Sequence, residues 1–382
     1  MKNETINTHV REDCCGCVAC SFVCPRNAIK IRCDDEGFAY PQIDEELCIS
    51  CGRCLQVCAF QNSVRKPNES ETPLVYGMKH KDEEVRRASR SGGVFTAITD
   101  VVLEQGGVVY GAAAVSPYEV KHIRATSKED RNLMRGSKYV ESNLIGIYSQ
   151  LESDLLECAD KPILFSGSPC QCAAVASVFK QAKYSNLILC DFICHGVPSS
   201  KLHKDYLTWI ERKYRKPVEK FEFRDKEKFP WESHVERIEL GGKRIYSRRY
   251  TNLFYANQCL RPSCFSCRYT TILRVSDFSI ADFWGCDKIN PEFNDHKGIS
   301  VVIVRGEKAS ILFSKAKNQM ECIEVEPHSL PHYSLHHPTT CPKNRQIFWD
   351  DYKHRGFEYI SKKYGGYDFL RRIKAKILYH LD

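Results

Sequence analysis

Residues 14–25, Cys14-Cys15-Gly16-Cys17-Val18-Ala19-Cys20-Ser21-Phe22-Val23-Cys24-Pro25, and residues 48–58, Cys48-Ile49-Ser50-Cys51-Gly52-Arg53-Cys54-Leu55-Gln56-Val57-Cys58, carry one cysteine spacing twice. In each run two residues separate the first three cysteines and three precede the fourth. That spacing lets three sulfurs on one tight loop cap a face of an iron–sulfur cube, while the fourth, on the following helical turn, points at a neighbouring cube. One such run is compatible with zinc; two in register specify a pair of 4Fe-4S clusters.

The repeat is that of bacterial two-cluster ferredoxins, in which the fourth cysteine of each run crosses to the other cluster. The crossover assigns Cys14, Cys17, Cys20 and Cys58 to one cluster and Cys48, Cys51, Cys54 and Cys24 to the other. Cys58 is followed by Ala59 rather than proline, which loosens the turn without removing a ligand. Cys15 and Cys33 fall outside the pattern and read as bystanders, since eight sulfurs are already supplied. The unit occupies residues 1–65 and leaves most of the 382-residue chain to use the electrons.

Cysteine usage supports metal over disulfides. The chain holds 21 cysteines, an odd number, and is far too long to need disulfide staples. With 42% hydrophobic and 27% charged residues it has a globular balance for two or three domains, which excludes disorder and collagen-like repeats. No apolar run approaches the roughly 18 residues of a membrane span; the best is Val108–Val115. The polar opening MKNETINTHVRED is unlike a signal peptide. A cytoplasmic protein without a transmembrane segment is expected.

The net charge is +8, from 56 basic and 48 acidic residues, and nucleic acid is not an expected partner. Much of the excess sits at the C-terminus, where Phe369, Leu370, Ile373, Ile377 and Leu381 recur at helical spacing beside Arg371, Arg372, Lys374 and Lys376. These residues predict a docked amphipathic helix with a solvated basic face, or else a contact for an anionic partner or membrane surface.

Residues 64–73 have linker composition. Beyond them, short apolar runs at Val108–Val115, Ile163–Ser166, Leu187–Ile193 and Ile299–Val304 alternate with amphipathic segments such as Ser200–Tyr214 and Lys308–Gln319. This predicts an α/β module. Phe221–Arg224, Val235–Leu240 and Arg244–Arg248, with a Gly241-Gly242 turn, predict an antiparallel hairpin insertion. No dinucleotide-binding glycine fingerprint, P-loop or Cys-x-x-x-Cys-x-x-Cys run is present, which lowers direct NAD chemistry, ATP hydrolysis and radical S-adenosylmethionine chemistry.

A second cysteine constellation follows. Cys170 lies in Ser166-Gly167-Ser168-Pro169-Cys170-Gln171-Cys172 after one predicted strand, and Cys194 in Cys190-Asp191-Phe192-Ile193-Cys194-His195-Gly196 at the end of the next. Cys264 and Cys267 occupy the loop Leu260-Arg261-Pro262-Ser263-Cys264-Phe265-Ser266-Cys267. Two parallel strands deliver their C-terminal loops to one sheet edge, so these four thiols can meet. By spacing they suit structural zinc or a third cluster equally; the preceding ferredoxin unit favours the cluster. Cys172, Cys190, Cys259 and Cys286 compete for the role.

At these residues the chain resembles the family formed by the beta subunits of the deazaflavin coenzyme F420 hydrogenases and dehydrogenases. The resemblance also rests on Arg90-Ser91-Gly92-Gly93-Val94-Phe95-Thr96, Gly106-Gly107-Val108-Val109-Tyr110-Gly111, Gly136-Ser137-Lys138-Tyr139-Val140-Glu141-Ser142 and Ala281-Asp282-Phe283-Trp284-Gly285, and covers roughly residues 74–330. It implies a flavoprotein with FAD beside a 4Fe-4S cluster held by Cys170, Cys194, Cys264 and Cys267. Ser91, Gly92, Gly93, Thr96, Lys138, Tyr139 and Ser168 would then contact FAD. Without the resemblance, the glycines read as a tight turn before a helix, and Lys138 and Tyr139 as ordinary surface and core residues.

The expected organisation is a ferredoxin-like domain at 1–65, an α/β flavin-binding module whose two parts span 74–150 and 151–330, and a basic extension at 331–382. Clusters handle one electron and an organic substrate two, so FAD would convert between them. Ferredoxin or another redox protein, and the deazaflavin or another organic substrate, are the expected partners. His195 would donate a proton during hydride transfer or serve as a hydrogen-bonded structural residue. Arg224, Lys226 and Trp231 on the hairpin would hold an anionic planar ligand or be solvated. Rival readings are an electron-transfer subunit without its own substrate and a regulatory or assembly protein.

Overall fold

The computed structural model describes residues 4–62 and 72–366. Most of the 64–73 linker and the apolar stripe from Phe369 to Leu381 lie outside the described residues.

The N-terminal domain is built twice over on one local device. Gly16 and Ser50 have φ of +71° and +52°, and Val18 and Gly52 have φ of +56° and +73°. They occupy the same two slots of the cysteine repeat. Alternating left-handed residues turn successive backbone N–H groups to one side and form the concave nest in which iron–sulfur sites are held. Two short helices, Ala19–Phe22 and Arg53–Gln56, follow the nests and carry Cys20 and Cys54 inward. Strands β1 (Ile29–Cys33) and β2 (Ala39–Ile43) pair antiparallel beside them.

The rest of the chain forms β3 (Leu74–His80), β4 (Val108–Ser116), β5 (Glu119–Ala125), β6 (Ile163–Gly167), β7 (Leu187–Phe192), β8 (Val218–Glu222), β9 (Glu236–Leu240), β10 (Lys243–Ser247), β11 (Phe278–Asp282), β12 (Ser300–Val304) and β13 (Met320–Glu324). Eight of these make one sheet in the order β13-β3-β12-β11-β7-β6-β4-β5. The centre, β4, β6, β7 and β11, is parallel, and the four flanking strands are antiparallel. The sheet is therefore mixed rather than the parallel one that strand–helix alternation suggests. Strands from 74–150 and 151–330 interleave, β3 lying between β13 and β12.

Alternate residues of the central strands feed opposite cores, as a pleat requires. Val108, Tyr110, Ile163, Phe165, Leu187 and Leu189 pack beneath helices Ile147–Glu157 and Pro169–Val178, whereas Val109, Leu164 and Ile188 pack beneath Val94–Glu104 and Gly306–Lys317. The first of these cores also contains Val18, Ala19, Ala59 and Phe60, so the N-terminal domain shares apolar burial with the module.

Strands β8, β9 and β10 form a separate antiparallel sheet. Its β9–β10 turn is Gly241-Gly242, both at positive φ, as a tight two-residue turn matching strand twist needs. Helices Ser200–Tyr214, Arg249–Tyr255 and Arg345–Lys363 pack against it in one core. The helical part of 331–366 is thus integrated into the module.

Candidate redox site

Two cavities in the N-terminal domain separate the eight cysteines of its repeat. Cys24, Cys48, Cys51 and Cys54 border one, with Ile49, Arg26 and Arg53 beside them; this is the outer quartet. Cys14, Cys17, Cys20 and Cys58 border the other, the inner quartet, together with Cys15. Backbone N–H groups of Ala28, Ser50 and Gln61 donate to the sulfurs of Cys24 (3.3 Å), Cys48 (3.5 Å) and Cys58 (3.3 Å). Donors aimed at sulfur suit thiolates bound to iron, whose charge they stabilise.

Paired strands β6 and β7 end side by side, Gly167 opposite Asp191. Cys170 enters the helix that follows β6, and Cys194 lies just beyond β7. Cys264 and Cys267 arrive on and after the short 3-10 turn Pro262–Ser266. Burial raises the Cys194 thiol, as do the sulfurs of Cys264, Cys170 and Cys267 around it. Burial likewise pushes Cys264 up to about 12 and Cys267 up to about 11. Such thiols are costly to ionise unless a cation shares the space, and four thiolates around iron meet that need. Arg274 braces the arrangement: its fully buried guanidinium pairs with Asp191 of β7 at 2.9 Å.

The competing cysteines lie elsewhere. Cys172 faces the Gly167 carbonyl at 3.8 Å; Cys190, Cys259 and Cys286 belong to three other cores. Cys33 is exposed on β1. Cys15 differs, because its thiol contacts both Cys17 of the inner quartet and Cys170 of the module. It borders both the inner cavity and the large cavity behind the module quartet. No spacing rule marks it; only the fold reveals it. Among the described residues no three His, Cys, Asp or Glu side chains converge as around a single metal ion.

The large cavity, about 390 Å³, falls in the range of small-molecule sites. Its wall includes Cys170, Cys194, Ser91, Gly93, Thr96, Lys138, Tyr139, Ser168 and His195. Helix Val94–Glu104 begins at this wall behind Gly93 (φ +91°) with no side-chain cap, so its first N–H groups suit a phosphate. Arg90 and Arg135 add positive charge; the buried Nε of Arg90 has no hydrogen-bond partner. A phosphate-bearing flavin fits this donor set.

Gly92 stands apart from the wall. Its N–H donates to Ser300 Oγ at 2.9 Å, and a Cβ there would lie 2.1 Å from the Met78 carbonyl oxygen and 2.6 Å from the Ser300 nitrogen, so the glycine lets its loop close against the backbone of β3 and β12. Lys138 lines the cavity, yet its Nζ donates to the carbonyls of Leu133 (3.2 Å), Met134 (2.7 Å) and Arg135 (2.9 Å); burial draws its pKa down to about 7. Tyr139 accepts from Arg224 at 3.2 Å. Ser168 starts the helix carrying Cys170 with a capping box. His195 Nε2 bonds Asn257 Oδ1 at 2.7 Å, and burial lowers its pKa.

Lys226 donates to the carbonyls of Arg86, Ser89 and Ser91, at 2.8, 3.1 and 3.3 Å, and so pins the loop before Gly92. Trp231 is buried and stacks on Trp284 at 5.1 Å, and Arg224 pairs with Asp282 at 2.6 Å. Of this trio only Arg224 lines the cavity. Sequence reading missed Arg90, Arg135 and Trp284 as lining residues, although all three lie within or beside quoted motifs.

Two cysteine quartets docked through a shared core onto a mixed α/β module define an iron–sulfur electron-transfer protein. Comparison with known sequences supplies the family. Residues 75–148 match the N-terminal region, and residues 160–329 the C-terminal region, of the coenzyme F420 hydrogenase/dehydrogenase beta subunit; residues 13–62 match the 4Fe-4S dicluster domain. The chain belongs to the family of coenzyme F420 hydrogenase/dehydrogenase beta subunits and carries a 4Fe-4S dicluster domain at its front. It is 25% identical to an uncharacterised protein of Methanocaldococcus jannaschii, over 83% of this chain and 89% of the other. It is 22% identical to the F subunit of the F(420)H(2) dehydrogenase of Methanosarcina mazei, over 81% and 84%. A chain of the F420-reducing [NiFe] hydrogenase complex from Methanosarcina barkeri aligns with TM-score 0.46 and 18% identity, over 76% of this chain and 90% of that one. Among the described residues no helix is long and apolar enough to cross a membrane.

Proposed function

We propose that the protein is an oxidoreductase in which the outer, inner and module quartets hold three 4Fe-4S clusters leading to FAD in the large cavity, where a two-electron organic substrate reacts. The observation that carries this is the position of Cys15, whose thiol touches Cys17 and Cys170 and which borders both the inner and the large cavity. It joins the dicluster domain to the module by sulfur contacts. When bound, FAD would supply the exchange between one-electron and hydride chemistry.

The chain's residues then have definite tasks. The N-terminal groups of the helix behind Gly93, with Arg135, would hold the diphosphate. Cys170 and Cys194 bring the module quartet to the cavity wall, and Tyr139 and Trp284 provide aromatic surface. His195, fixed by Asn257, would hold a proton at the imidazole beside Cys194. The Methanosarcina mazei relative is named for F420H2 dehydrogenation, so the deazaflavin is the first substrate to try.

Anaerobically purified protein should carry about twelve irons, following the thiolate count, and should release non-covalent FAD on denaturation. It should pass hydride from reduced F420 to an artificial acceptor. Reconstituted protein without flavin absorbance in excess FAD would overturn the flavin assignment, and zinc in place of four irons would remove the module cluster. Flavin with no hydride exchange would reduce the protein to a relay serving another enzyme.

A further inference from the structure

Arg261 stands at the junction between the dicluster domain and the module. It lies three residues before Cys264 of the module quartet, is 1% exposed, and reaches across the interface. Its Nε donates to the Cys14 carbonyl at 2.8 Å and its Nη2 lies 3.8 Å from Cys14 Sγ. Nη2 also donates to the Ala39 carbonyl, and Nη1 pairs with Glu141. The guanidinium sits 4.5 Å from the Tyr40 ring. On the module side its N–H donates to the Val197 carbonyl at 2.9 Å and its own carbonyl accepts from the Cys264 N–H at 2.9 Å, so one residue is tied to a ligand of each quartet.

Among the described residues bordering the outer cavity there is no buried counterpart of Arg261. The cations there, Arg26 and Arg53, are exposed, so water and salt screen them. We propose that Arg261 sets the reduction potentials of the inner and module clusters above that of the outer cluster, so that electrons entering at the outer quartet run inward to the cavity.

Reduction adds one electron to a cluster and makes or breaks no bond, so its potential follows how well the surroundings accept one more negative charge. Burial of the inner and module quartets opposes that charge. A buried guanidinium directed at a ligand favours it, and such charge-assisted contacts strengthen where water is excluded. Glu141 balances one arm of the fork and leaves the other directed at Cys14.

This inference rests on the relay reading, but it fails separately. The test is an EPR-monitored redox titration of the iron-loaded full chain with dithionite, comparing wild type, Arg261→Lys and the neutral pair Arg261→Gln/Glu141→Gln, which leaves no stranded carboxylate. At a poise that half-reduces the wild-type inner cluster, the neutral pair should show a reduced-to-oxidised ratio about tenfold lower, about 59 mV for a one-electron couple. The module cluster should shift the same way, the outer cluster should not move, and Arg261→Lys should retain most of the wild-type value. Inner and outer potentials that shift equally, or an inner potential that stays put in a protein of unchanged iron content, would overturn the proposal. If the module holds no iron, the relay reading fails while the inner cluster still tests Arg261.

Discussion

The two halves of the dicluster domain are near copies in backbone and unlike in surroundings. Gly16 and Ser50, Val18 and Gly52, and Cys20 and Cys54 hold matching positions and conformations. Yet the inner quartet and the turn after Cys58 meet Arg261, Glu141, Tyr269 and Cys170 of the module, whereas among the described residues the outer cavity is bordered by the N-terminal segment, with Ile49 and Arg53 at the surface. A symmetric repeat thus becomes directional through docking, so equivalent substitutions in the two halves should have unequal consequences.

The largest inequality is expected from the ligands themselves. Cys20→Ser and Cys54→Ser should each remove about four of about twelve irons, following the thiolate count. Cys20→Ser should also cut delivery of electrons from an external one-electron donor to the cavity by on the order of a hundredfold, because among the described residues it is the inner quartet that meets Cys15, Cys170 and Arg261 at the junction. Cys54→Ser leaves that contact intact and should slow delivery less. Stopped-flow reduction of the flavin bands measures both; equal losses would make the outer quartet an obligatory entry and erase the distinction.

Next is Gly16 against Ser50. A Cβ at Gly16 would lie 2.6 Å from Glu141 Oε1 and 2.7 Å from Arg261 Nη1, in a left-handed backbone that side chains resist. Gly16→Ala should cost about 2–4 kcal/mol, from conformational strain of ~1–2 kcal/mol plus displacement of the ion pair. Ser50→Gly relieves the same strain without a clash and should be neutral to slightly stabilising. Thermal unfolding under anaerobic conditions checks both, and a Gly16→Ala protein as stable as wild type would mean that the junction yields to the added methyl group.

Acid should probe the module side of the junction. His122 of β5 is buried against Phe165, accepts or donates at Ser142 Oγ (2.7 Å) and donates to the Ser166 carbonyl (3.0 Å); burial draws its pKa down to about 4. The unfolded chain binds this proton near pH 6.5 and the folded chain only near 4, so stability present above 6.5 is lost as pH falls toward 4. Between pH 7 and pH 5 the loss from this group is about 2 kcal/mol. Replacing it, His122→Gln, should flatten that part of the pH–stability curve, and an unchanged slope would place the titrating group elsewhere.

The same contrast explains what could be read from the chain. The cysteine repeat is local: loop spacing and helical phase decide which sulfurs face one another, so both N-terminal quartets were legible without tertiary information. Strands β4, β6, β7 and β12 were legible because they are short, apolar and rich in branched residues; β11, whose Phe278–Asp282 mixes apolar and polar residues, was not. Cys170, Cys194, Cys264 and Cys267 come together only when β6, β7 and a distant loop reach one sheet edge, and their grouping leaned on family resemblance. Cys15 and Arg261 were invisible in their roles because contact across the docking interface, rather than spacing, defines them. Gly92 was misplaced for a related reason, since a glycine that lets its loop close on strand backbone looks the same in sequence as one that admits a phosphate.

The smallest expected effect concerns the one place where the two runs differ in sequence just after the fourth cysteine. Pro25 follows Cys24 and is exposed, whereas Ala59 follows Cys58 and is 1% exposed. The Ala59 carbonyl accepts a hydrogen bond from Tyr269 at 2.5 Å, and the Tyr269 ring meets Phe60 edge-on at 5.9 Å. The missing proline is therefore a docking feature: a small residue lets the module's tyrosine close over the turn. Tyr269→Phe keeps the ring and strands one buried carbonyl, so it should cost about 1–1.5 kcal/mol. Pro25→Ala, at the exposed equivalent, should stay within about 0.5 kcal/mol of wild type. Chemical denaturation of the two variants in parallel measures the difference directly. If Pro25→Ala proved the more damaging, stability at these turns would come from proline's restriction of the backbone rather than from contact with the module, and the inner turn would have to be held by something other than Tyr269.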